Sequence, residues 1–110
     1  MYQKLTADAN HPLTQTLINP KFAPGQILAT PGALAAMEEH HCSPLSLLAR
    51  HLVADWGSVP VEDAQLNDRA IQSGGRLLSS YMIGPGTRIW LITDQSETGN
   101  ISTYLLPSEY

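Results

Sequence analysis

His51 and Asp55 stand four residues apart in the stretch "ARHLVADWG". On a helix that spacing puts both side chains on one face, where a carboxylate orients an imidazole and raises its basicity. The pair is the first candidate for general-base chemistry. His51 is then expected to titrate above its unperturbed value of roughly 6.5, with Trp56 as a partly buried wall beside it. The plainer alternative is that His51 edges a core and Asp55 belongs to the end of a helix.

A second group consists of Arg76, Tyr81, Arg88, Trp90, Thr103 and Tyr104, all in the last third of the chain. Cations, hydroxyls and aromatic rings of this kind bind a nucleic acid or nucleotide if strand register lines them up on one open face. Otherwise Tyr81, Trp90 and Tyr104 are ordinary half-buried strand aromatics. His40, His41 and Cys42 are metal-ligand types, but adjacent residues rarely aim at one ion and no second ligand cluster follows, so no metal or cofactor is expected. Gly84-Pro85-Gly86 joins two strands and opens no helix, which makes it hairpin punctuation rather than a phosphate loop.

The elements that must carry these residues are readable from period and punctuation. Residues 1–24 hold Asn10, Pro12, Pro20 and Pro24 around one weak apolar cluster, and are expected to form a flexible N-terminal arm. Gln26 to Ala29 reads as a short strand or an extended lead-in. Thr30-Pro31 and Ser43-Pro44 are both helix starts, the hydroxyl capping free amides and the proline fitting the first helical position. They launch helices over Pro31–Glu39 and Pro44 to about Ala54, the second with a buried stripe of Leu45, Leu47, Leu48 and Leu52. A third helix is expected over Pro60–Ser73, ended by Gly74-Gly75, with Ala64, Leu66, Ala70 and Ile71 inside. From Arg76 the hydrophobic period changes to two, giving strands Arg76–Ile83, Thr87–Thr93 and Ile101–Leu106. The fold class that follows is α+β: three helices packed on a C-terminal three-stranded antiparallel meander, in one domain over residues 25–110.

The 110 residues suit a single core. A formal charge of -4 gives no broad basic footprint, and the helix Pro44–Ala54 exposes hardly any cation, so DNA reading is disfavoured. One cysteine, Cys42, forms no internal disulfide, the start of the chain lacks a cationic stretch leading into an apolar run, and no apolar run nears the roughly 18 to 20 residues of a membrane span. A cytoplasmic protein is expected.

The segments "FAPGQILATPGALAAMEE", "SPLSLLARHLVADWG", "GGRLLSSY", "RIWLITD" and "TYLLPSEY" resemble a family of small uncharacterised proteins of bacterial plasmids and integrative elements, some of them labelled type I restriction endonuclease subunit M. The likeness runs from Phe22 to Tyr110. It implies a mobile-element setting in a bacterial cytoplasm and no particular activity. The restriction label is set aside, because a methyltransferase subunit needs a βαβ unit with a Gly-rich first turn, which an antiparallel chain of this length does not supply. At greater distance, helices followed by an antiparallel sheet look like the small ribonuclease toxins of the barnase, colicin and RelE type. That likeness implies His51, with Asp55, as base, Arg76 or Arg88 over the phosphate, and Thr103 as the hydroxyl. Two functions are therefore carried forward: an accessory or interaction domain of a mobile element, with a protein or RNA partner and a homodimer as one form, and a small RNase-like nuclease.

Overall fold

The computed structural model describes the backbone of Gln3–Lys4 and residues 19–110. The protein is α+β, with three helices and a mixed sheet. Helix α1 spans Pro31–Glu39, α2 Pro44–Leu52 and α3 Val61–Ser73. Thr30 caps α1, its hydroxyl accepting from the Ala33 amide at 3.0 Å, and Pro31 takes the first turn. Ser43 precedes Pro44 in the same way, but its side chain makes no capping bond.

The sheet departs from the expected three-stranded meander. Strands β3 (Arg76–Gly84), β4 (Thr87–Asp94) and β5 (Ile101–Leu105) do pair antiparallel in sequence. A fourth strand, β2 (Gln26–Ala29), joins the far side of β5 in parallel, and the two-residue β1 (Gln3–Lys4) pairs antiparallel with β2, for an order β1-β2-β5-β4-β3. The physical reason is an edge. β5 at the end of a meander would expose a row of unpaired amides and carbonyls, and β2 covers them. The approach to β2 is tight: Gly25 has φ +66°, and a Cβ there would lie 1.8 Å from the Asn100 carbonyl oxygen.

The opposite edge, β3, is covered differently. Asn67 of α3 donates from Nδ2 to the Leu78 carbonyl at 2.8 Å and accepts from the Leu78 amide at 3.1 Å. Two residues on, the Ser80 amide donates to Trp56 and the Ser80 carbonyl accepts from the Ser58 amide. Asn67 is buried whereas Leu66, expected inside, is 57% exposed. Turning α3 by one position to place an amide against the strand edge puts Leu66 on the outside.

Alternation along the strands assigns two faces. The inner face carries Ile27, Ala29, Tyr81, Ile89, Leu91 and Tyr104, which pack with Ala33 and Met37 of α1 and Leu47, Leu48 and Leu52 of α2. Each fully buried aliphatic side chain here contributes about 1.5–3 kcal/mol. A second cluster, Trp56, Ala70 and Leu77, joins α3 to β3, with Phe22 packed against both clusters. The arm expected over residues 1–24 lies mostly outside the described residues; in its last part the Lys21 amide donates to the Leu52 carbonyl at 2.8 Å.

Candidate functional site

The His51–Asp55 pair does not form. Helix α2 ends at Leu52, and Ala54 takes φ +67°, so the backbone leaves the helix before Asp55 and the four-residue spacing no longer sets a common face. Asp55 turns outward. Its carboxylate accepts from Arg50 at 2.7 Å and from the Gly57 amide, and the Arg50 hydrogen bond chiefly holds it below its ordinary range.

His51 turns inward and is fully buried. Its ring meets Phe22 and Trp56 edge-to-face at 5.2 and 5.5 Å, and those two rings stack on each other at 6.1 Å. Nδ1 meets Ser79 Oγ at 2.6 Å and Nε2 meets Thr93 Oγ1 at 2.9 Å. The chain continues from Thr93 Oγ1 to Ser102 Oγ at 2.7 Å, and from Ser102 Oγ to the Pro24 carbonyl at 2.7 Å. A carbonyl only accepts, which fixes every proton in the line. Ser102 donates to Pro24, so Thr93 donates to Ser102; Thr93 must then accept from His51, whose proton sits on Nε2, leaving Nδ1 to accept from Ser79. Burial pushes the imidazole down to about 3, opposite to the rise expected from a neighbouring carboxylate. Far from a base facing solvent, His51 is a neutral link in a buried hydrogen-bond chain.

Trp56, Tyr81 and Tyr104, expected among binding residues, are also interior. Trp56 donates from Nε1 to Asp68 at 2.9 Å and is buried rather than a half-exposed wall. The Tyr81 hydroxyl donates to the Asp55 carbonyl and the Tyr104 hydroxyl to the Pro44 carbonyl, each at 2.6 Å; burial raises both phenols. They tie the helix ends to the sheet.

The remaining candidates do come together. The register sets Arg76 opposite Asp94, Leu78 opposite Ile92 opposite Thr103, Ser80 opposite Trp90 opposite Leu105, and Met82 opposite Arg88, all on the outer face. The C-terminal turn Pro107–Glu109 packs against β4, and Ile92, Leu105 and Ser80 of this face are buried. Tyr110 stands edge-to-face on Trp90 at 5.5 Å, with its hydroxyl on the Arg76 guanidinium. Arg76 Nε also bonds Asp94 Oδ1 at 2.9 Å. Arg76, Ile92, Asp94, Thr103, Leu105 and Tyr110 line a hollow of about 120 Å3. The turn that carries Tyr110 is pinned by Glu109, whose carboxylate accepts from the Thr30 hydroxyl at 2.5 Å and the Leu106 amide at 2.8 Å.

The outer face thus collects two cations, one carboxylate, the hydroxyls of Ser80 and Thr103, two aromatic rings with the Tyr110 phenol, and several aliphatic side chains. Nothing on it forms a nucleophile–base pair, and among the described residues no three His, Cys, Asp or Glu side chains cluster as metal ligands. It combines a largely buried apolar centre, Ile92 and Leu105, with a charged rim of Arg76, Arg88 and Asp94. Alternation along β4 already grouped Arg88, Trp90 and Ile92; Asp94, Leu105 and Tyr110 needed the pairing register and the final turn. No protein-family model, curated protein or solved structure matches the chain.

Proposed function

We propose that this protein is a non-enzymatic interaction domain that engages a protein partner through the outer face of its sheet. The observation carrying this reading is that three of the six exposed large apolar side chains among the described residues border one face of the sheet, while Val53, Val61 and Leu66 lie elsewhere. Met82 is 51%, Ile101 42% and Tyr110 69% exposed, and all three lie around a Trp90–Ile92–Leu105 centre in which Ile92 and Leu105 are themselves buried, so the accessible part is the border of that face. Aromatic and aliphatic residues ringed by arginine are the composition of protein interfaces. The accessory role in a bacterial mobile element, and the cytoplasmic setting, rest on the sequence resemblance. Among the described residues no helix is long and apolar enough to cross a membrane.

Arg76, Arg88, Trp90 and Thr103 sharing one face favours a second reading, an RNA-binding or RNase-like surface. Against it stand the sealed, neutral His51 and the charge of Asp94 beside Arg76. Two measurements separate them. A photoreactive residue at Met82 or Ile101 should crosslink to protein in the bacterial cytoplasm, and purified protein should leave total RNA intact. RNA cleavage that disappears in Arg76→Ala or Thr103→Ala would sink the interaction-domain reading.

A further inference from the structure

Apart from the outer face, we infer that the chain binds a primary alkylammonium group at the C-terminal end of α3. The last carbonyls of a helix point along its axis beyond its end and carry the negative pole of its dipole. In α3 the Gly74 amide closes on the Ala70 carbonyl, and no donor among the described residues reaches the carbonyls of Ile71, Gln72 and Ser73. Helices commonly answer such carbonyls with a cation of their own last turn, and α3 has none there. The next cation along the chain, Arg76, is turned to Asp94 and Tyr110.

A hollow of about 500 Å3 opens at this end, walled on its far side by the loop after β4, with no Lys, Arg or His in its lining. Its polar side chains present oxygens, because most of their protons are spent on carbonyls. Gln95 donates from Nε2 to the carbonyls of Ala70 and Gly75 at 2.8 and 3.2 Å, and Asn100 from Nδ2 to the Ala23 carbonyl at 2.6 Å. The hydroxyl of Ser73 turns to the Arg69 and Gly74 carbonyls, and that of Ser96 to Gly99. Only Gln72 keeps a side-chain donor that no described residue engages. Glu97 adds a full negative charge and makes no ion pair among the described residues. Such a hollow complements a cation that brings several N–H donors, and an ammonium brings three. The apolar body of Ile71 lies in the same lining and suits an alkyl stem. A bare metal ion fits poorly: among the described residues no three His, Cys, Asp or Glu side chains gather, and the space is that of a small molecule. A free amine and the lysine side chain of a partner both carry the required group.

Amide NMR spectra of the whole isotope-labelled chain at neutral pH, titrated with n-butylammonium chloride, test this. The amides of Gly74, Gly75 and the loop from Ser96 to Asn100 should shift saturably. Tetramethylammonium chloride has the charge and no N–H donor, and at equal ionic strength it and sodium chloride should shift them about fivefold less. Glu97→Gln should weaken binding about fivefold. Gln72→Lys, which gives the helix a cation of its own, should abolish it, and Glu62→Gln at the opposite end of α3 should leave it unchanged. Tighter binding of Nα-acetyl-lysine amide than of butylammonium identifies a partner's lysine as the source, and the reverse order a free amine; either supports the site. The inference is overturned by the lack of a saturable shift, by equal shifts with tetramethylammonium, or by shifts spread over Glu38, Glu39, Glu62 and Asp63. No residue of the outer face takes part, so such a failure leaves the interaction-domain reading standing, and failure of the Met82 crosslink leaves this site standing.

Discussion

Replacing His51 with glutamine should flatten the acid side of the protein's stability curve while lowering its plateau. In the folded chain the imidazole is neutral and pushed down to about 3, against 6.5 when unfolded. Between those values the unfolded chain binds a proton that the folded chain refuses, so stability rises with pH there and is complete above 6.5. Falling pH removes it at about 1.4 kcal/mol per unit, or about 2 kcal/mol by pH 5. Glu109 and Asp55, held low by their hydrogen bonds, lose their contributions only below about pH 4.5, outside this window. Glutamine has no titration, and its amide meets Ser79 and Thr93 with poorer reach. The plateau should therefore drop by about 1–3 kcal/mol for imperfectly satisfied buried hydroxyls. Urea unfolding of both proteins at about pH 7.5 and 5 gives the difference of differences, in which the other histidines cancel. Parallel losses in wild type and His51→Gln would refute the buried, neutral imidazole, as would an NMR titration of His51 near 6.5.

Three further outcomes follow from the packing. Asn67→Ala uncovers the Leu78 amide and carbonyl on the β3 edge and should cost about 2–3 kcal/mol in urea unfolding, while Leu66→Ala, on the exposed side of α3, should change little. Gly57→Ala forces a Cβ to within 2.0 Å of the Ser80 carbonyl oxygen at φ +74°, and should leave little folded protein by circular dichroism. Ser80→Ala removes a buried hydroxyl that has no hydrogen-bond partner, so it should be neutral or stabilising by up to about 1 kcal/mol in thermal unfolding.

What could be read from the chain was local. Thr30-Pro31 and Ser43-Pro44 mark helix starts by chemistry within four residues, and Gly74-Gly75 separates a 3.6-residue period from a two-residue one, so three helices and three strands were legible. The pairing of β2 with β5 was not, because Gln26–Ala29 is four residues of strand whose partner lies some 75 positions away. The His51–Asp55 pairing failed for the same reason, while the alternative of a core histidine stood beside it. A spacing of four is a helical argument, and the turn at Ala54 cancels it, while the real partners, Ser79 and Thr93, lie 28 and 42 residues downstream. Arg88, Trp90 and Ile92 were grouped correctly because alternation within a strand needs no tertiary knowledge. Tyr81 and Tyr104 were not placed, since only the inner or outer sense of that alternation decides whether a ring faces solvent.

The parallel junction of β2 with β5 also sets a timetable. During synthesis Gln26–Ala29 emerges early, yet its hydrogen-bonding partner Ile101–Leu105 is made some 70 residues later, so the apolar Ile27, Leu28 and Ala29 must wait without a sheet to join. Contacts between remote segments close slowly because the intervening loop must be ordered first. The hairpin of β3 and β4 can form as soon as it is made, whereas the two clasps at the junction, Gln26 to Asn100 and Thr30 to Tyr104, can only form last. Until then the nascent chain carries an unpaired strand, which makes its early third the segment most exposed to chaperone capture or to mispairing with a neighbouring chain.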